Sequence, residues 1–112
     1  LVEANRERDR AVHVVQEFFN NFDFMVWPTS TGLPFEAEAT EEGITEDWTP
    51  IEITPALQIP ALSVPVGKTS DGMPCGVQLI GPKRSDLGLI RIARMLEPEI
   101  GFVGQQPDPY AS

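Results

Sequence analysis

Apolar residues in the first part of the chain recur at helical spacing. Ala11, Val15, Phe18 and Phe22 stand at i, i+4, i+7 and i+11, and Val12 and Phe19 widen the stripe. The pattern predicts an amphipathic helix over residues 1–22, with Glu3, Asn5, Arg6, Glu7, Arg8 and Asp9 making its first half a solvated surface. Phe24-Met25-Val26-Trp27, closed by Pro28, is a short apolar run of the kind that forms a buried strand. Further on, Ala61 to Gly67 alternates so that Leu62, Val64 and Val66 share one strand face. Pro65 has no N–H for a ladder, so this strand lies at a sheet edge or loses its regularity there. Thr69-Ser70-Asp71-Gly72 supplies a turn, and Cys75 to Gly81 forms a second strand with Cys75, Val77 and Leu79 on one face. The two strands are expected to pair antiparallel. Gly76 leaves a flat spot where another backbone or a ligand comes close.

Helices flank this hairpin. A turn or two is predicted over residues 46–57, with Thr45 as a cap, Pro50 in the first turn and Pro55 ending or kinking the helix. In helical geometry Trp48, Ile51, Glu52 and Pro55 share one face. Ser85 is placed to cap a last helix with Asp86 at its N-terminus. Leu89, Ile92, Ala93 and Leu96 form the buried stripe of that helix, Arg91 and Arg94 its exposed side, and Pro98 its stop. Residues 28–47 read as an acidic, solvated loop, and residues 101–112 as a loosely held tail. The element order is therefore helix, strand, loop with short helix, strand, strand, helix: an α/β composition in one domain spanning residues 1–112.

Charge and composition narrow the function. The 112 residues carry a net charge of −9 and are 41% apolar, enough to bury a small core. Such a balance repels phosphate backbones and anionic membrane surfaces, so neither nucleic acid nor membrane is an expected partner. No apolar run approaches the ~20 residues of a membrane span, and the charged first ten residues are unlike a secretory signal, so the cytoplasm is the expected location. Cys75 is the only cysteine and His13 the only histidine, too few soft ligands for a structural zinc site. No metal site and no cofactor is expected, and Cys75 reads as a small buried strand residue. His13 reads as a surface or boundary residue of the first helix, with no acid or nucleophile spaced to partner it.

Three motifs carry a resemblance. The first is Asp23-Phe24-Met25-Val26-Trp27-Pro28-Thr29. The second is Pro60-Ala61-Leu62-Ser63-Val64-Pro65-Val66-Gly67. The third is Asp71-Gly72-Met73-Pro74-Cys75-Gly76-Val77-Gln78-Leu79-Ile80-Gly81, followed by a polar loop and a helix. In this order and separation the chain resembles the C-terminal third of amidase-signature enzymes over about residues 5–97. The resemblance implies part of a larger mixed β-sheet with flanking helices. It also implies a parent enzyme that hydrolyses carboxylic amides with a serine nucleophile, a bridging serine and a lysine base.

Those catalytic residues belong to the part of the family that precedes this segment. Here Lys68 and Lys83 each stand beside a turn, and Ser63 occupies a strand position that the family does not use as nucleophile. No nucleophile, base and oxyanion donors come together, so no catalytic residue is assigned. The segment before Pro60 corresponds to one wall of the family's substrate pocket, which makes Trp48, Glu52, Pro55 and Gln58 the candidate pocket residues. The family usually has Asn and Gly where this chain has Pro55 and Gln58. The expected function is thus a C-terminal amidohydrolase fragment that begins inside a helix, supplies sheet and pocket wall, and is inactive alone. Its expected partners are the preceding part of the domain, a second copy of itself, and the parent's small amide substrate. The alternative is a stand-alone binding or interaction module derived from the same fold; a small enzyme built on the acidic loop would need a bound metal.

Overall fold

The computed structural model describes residues 1–30, 32, 36–38 and 49–100, with the side chains of residues 49–51 outside that description. Most of the acidic loop, the Thr45 cap, Trp48 and the 101–112 tail therefore lie outside the described residues. The described elements run α1 (Val2–Asn21), β1 (Met25–Pro28), α2 (Thr49–Leu57), β2 (Ala61–Lys68), β3 (Pro74–Ile80) and α3 (Asp86–Ile100). Among them the three strands form one antiparallel sheet in the order β1-β3-β2, so the molecule is the α/β assembly that the sequence pattern implies.

The β2–β3 hairpin is the centre of the fold. Ala61 pairs with Ile80 and Val64 with Val77, and the register slips between Pro65 and Gly67 before Lys68 meets Pro74. Pro65 thus marks both an edge strand and the end of its regular part. The slip also takes Val66 out of the alternation, and its side chain is exposed, unlike Leu62 and Val64. Gly72 closes the turn with a φ of 85°, a left-handed conformation that side chains disfavour.

Antiparallel pairing puts Leu62 and Leu79, and Val64 and Val77, on one sheet face. There α3 covers the sheet: Val64, Leu79, Leu89 and Ala93 form the buried core, with Phe24, Ile92, Leu96 and Ile100 packed around it. The stripe read from the helical spacing is therefore the one that is buried. Pro98, however, does not stop α3, which runs to Ile100. Proline removes the bond to the carbonyl four residues back and crowds that carbonyl, and Ile100 holds the last turn by packing on the core. Ser85 directly precedes the helix, but its hydroxyl donates to the Pro82 carbonyl at 2.6 Å, a bond to the loop before it rather than to the first turn of the helix.

On the opposite face, α1 and α2 close over the Ile80 end of the sheet. Val15, Met25, Ile53, Leu57, Ile59 and Ile80 line a small apolar cavity of about 180 Å³ between them. Burial falls off quickly beyond that end. β1 is not the buried strand its apolar run suggests, because Met25 is half-buried while Val26 and Trp27 are exposed. Among the described residues it pairs with β3 on one side only. Likewise α1 has the predicted stripe but no buried residue, and Phe18 and Phe22 stack on each other with ring centroids 4.6 Å apart.

Candidate functional site

The candidate pocket residues fall on and just after α2. Its inward side is set by Thr54 and Leu57, both buried, whereas Glu52 and Pro55 are exposed on its outward side. The helix continues two residues beyond Pro55 and ends at Leu57. Gln58 follows, exposed and with a φ of 55°. Glu52, Pro55 and Gln58 are not among the residues lining the apolar cavity between α1, α2 and the sheet, and Trp48 lies outside the described residues.

The end of α2 accounts for the left-handed torsion at Gln58. The Ile59 N–H donates to the Thr54 carbonyl at 3.2 Å and the Gln58 N–H to the Pro55 carbonyl at 3.1 Å. This is the Schellman pattern, in which the residue after the helix adopts the left-handed conformation that glycine takes without strain. Position 58 is thus a backbone position first. The sequence held a signal for it, a helix stop followed two residues later by Pro60. Sequence reasoning also missed Arg8, whose Nε donates to the Ala56 carbonyl at 2.9 Å and ties α1 to α2.

Ser63 sits on the sheet face turned away from α3, opposite Gln78. Its hydroxyl lies 3.0 Å from the Thr29 hydroxyl. The two reach each other across the middle strand because Gly76 leaves the space between them empty. A Cβ there would stand 3.1 Å from Ser63 Oγ, 3.3 Å from the Val64 carbonyl and 3.5 Å from Thr29 Oγ1. Gln78, buried on the same face, donates from Nε2 to the Pro28 carbonyl at 3.3 Å. The flat spot at Gly76 therefore serves a close approach of both outer strands, and Ser63 is engaged with a second hydroxyl rather than with a base.

An open groove of about 500 Å³ runs between α1, the Leu57–Ile59 corner and Pro82-Lys83. His13 and Glu17 form part of its wall, with Nε2 3.3 Å from a Glu17 carboxylate oxygen. Glu17, one helical turn on, is thus the acidic partner that the spacing was read as lacking. Both side chains are largely exposed, and the groove lining includes no hydroxyl or thiol. Cys75 is half-buried rather than buried, and its thiol is free. Among the described residues no group of His, Cys, Asp and Glu is placed to hold a metal ion, and no helix is long and apolar enough to cross a membrane.

Comparison with known proteins gives these features a context. The Amidase family profile matches residues 1–90. A glutamyl-tRNA(Gln) amidotransferase chain of Alkaliphilus metalliredigens is 32% identical over 89% of this chain and 21% of its own length. Fatty acid amide hydrolase of Medicago truncatula is 32% identical over 97% of this chain and 19% of its own. A second glutamyl-tRNA(Gln) amidotransferase chain, from Clostridium acetobutylicum, is 35% identical over 75% of this chain and 18% of its own. The chain thus spans about a fifth of the length of these relatives.

Proposed function

The chain belongs to the amidase family, and from that premise we propose that it is the C-terminal portion of an amidase-signature amidohydrolase, inactive alone. In the complete enzyme it contributes three strands to the sheet and, through the outward face of α2, part of the wall around a carboxylic amide. One observation carries the reading: nearly the whole chain is similar to relatives about five times its length. Ser63, the serine within the matching motif, is paired with the Thr29 hydroxyl rather than with a base, so on this reading hydrolysis depends on residues that the rest of the domain would supply.

Two features support the assignment of α2. A pocket wall completed by other parts of a domain has to be exposed in the isolated segment, and Glu52 and Pro55 are. The helix is also firmly backed, with Thr54 and Leu57 buried on its inner side. The relatives' names point to an amide as the substrate class, whether the amide of a fatty acid or one handled in amidotransfer. A single cysteine, with no intrachain disulfide, suits a reducing compartment, and the cytoplasm is the location proposed.

The coding sequence immediately upstream of Leu1 tests this reading. A glycine- and serine-rich stretch, with a lysine some tens of residues before it, is the expected finding. A start codon directly before Leu1, with no such stretch, would sink it in favour of a stand-alone binding module.

A further inference from the structure

We propose that Arg8 is a positioning residue for the amide site: from α1 it clamps the C-terminal end of α2 and so fixes how α2 presents Glu52 and Pro55. The functional half of this proposal rests on the reading of α2 as a pocket wall.

An α-helix leaves its last four carbonyls without partners inside the helix. In α2 these belong to Thr54, Pro55, Ala56 and Leu57. The chain that follows the helix takes two of them, through the Ile59 and Gln58 N–H groups. Arg8 takes a third, Ala56, from 48 residues away in sequence. Among the described residues it is the donor that comes from another element, and so it ties the helix end to α1 by a hydrogen bond. A guanidinium also brings positive charge to the negative end of the helix dipole.

α2 has particular need of that charge. It has nine residues, shorter than the roughly 12–15 at which an isolated helix becomes even marginally stable. Pro55 removes an N–H from its interior, and Gln58 holds a left-handed torsion that opposes the C-terminal closure. It has no basic residue in its last turn, and the sequence has no Lys or Arg anywhere between Arg10 and Lys68. No neighbour in sequence can do what Arg8 does. Release of the clamp frees the helix end while the burial of Thr54 and Leu57 keeps the helix on the sheet. The outward face then loses its fixed register without global unfolding.

The test uses Arg8→Met, which keeps an aliphatic stem without donors, and Arg8→Lys, which keeps the charge. In the 112-residue chain, amide hydrogen exchange at Gln58 and Ile59 is expected to speed up roughly 3–10-fold in Arg8→Met, the effect of one surface hydrogen bond. Exchange at Leu79 and Ile80 stays unchanged, and Arg8→Lys restores most of the protection. In the complete enzyme, Arg8→Met raises KM by a similar factor with kcat retained, and Arg8→Lys recovers it. Unaltered exchange at Gln58 and Ile59 overturns the clamp and leaves the pocket-wall reading standing. Faster exchange with an unaltered KM overturns the positioning role and removes α2 from the pocket wall.

Discussion

At position 58 the chain holds a glutamine in a backbone conformation that side chains disfavour, with a φ of 55°. A Cβ in the left-handed region costs roughly 1–2 kcal/mol, partly offset by the greater freedom glycine has when unfolded. Gln58→Gly is therefore expected to raise stability by about 0.5–1 kcal/mol in chemical denaturation. The opposite logic applies at Gly76, where an added Cβ would press on the Ser63 hydroxyl and the Val64 carbonyl. Gly76→Ala should lower stability by roughly 1–3 kcal/mol, the usual cost of overpacking. The sequence could announce that Gly76 needs room, because a glycine in a strand has few other uses. It could not announce that Thr29 and Ser63 meet over it, since they are 34 residues apart and share only the sheet register. The same holds for Arg8 and Ala56. Long-range side-chain bonds have no local pattern, and sequence reasoning missed both; the His13–Glu17 pair, four residues apart on α1, did have one.

Elements were legible where periodicity and burial agree. The alternation of β2 and β3, the turn between them and the stripe of α3 all follow from spacing, because α3 buries the face that the spacing predicts. Leu79 lies at the centre of that contact and is almost wholly buried. Leu79→Ala is expected to cost about 2–5 kcal/mol, and a small domain should show it as a large fall in its denaturation midpoint. The pattern misled where composition stood in for context. The apolar run of β1 reads as buried, yet a three-stranded sheet has two margins, and β1 is one of them. A proline near a helix end reads as a stop, but Ile100 anchors the turn beyond Pro98. Helical spacing put Glu52 and Pro55 on a common face with Trp48, and the first two do share the outward side of α2. What faces them was not legible, because the spacing within one helix carries no information about the surface opposite it.

Several large apolar side chains of the described residues are exposed at one margin of the molecule. Phe22, Val26 and Trp27 are exposed around the start of β1, and α1 has no buried residue. The two sheet margins differ. β2 carries Pro65, a register slip and Lys68, all of which discourage a further strand, whereas Met25-Val26-Trp27 offers a flat, uncharged edge. The isolated chain is therefore expected to self-associate despite its net charge of −9, and a charge on the β1 edge should suppress this. Light scattering on the chain and on Val26→Lys checks the point: the variant should approach the monomer mass, and a parent chain that is already monomeric at high concentration contradicts it. The apolar margin and the exposed face of α2 accord with the reading proposed above, a portion of a larger amidase domain.

Amide hydrolysis tests that reading most directly, measured on a panel of amides with the 112-residue chain alone and with the chain joined to the region encoded before it. No turnover is expected from the chain alone, and turnover is expected from the joined protein. Turnover by the chain alone that disappears in Ser63→Ala would contradict the reading.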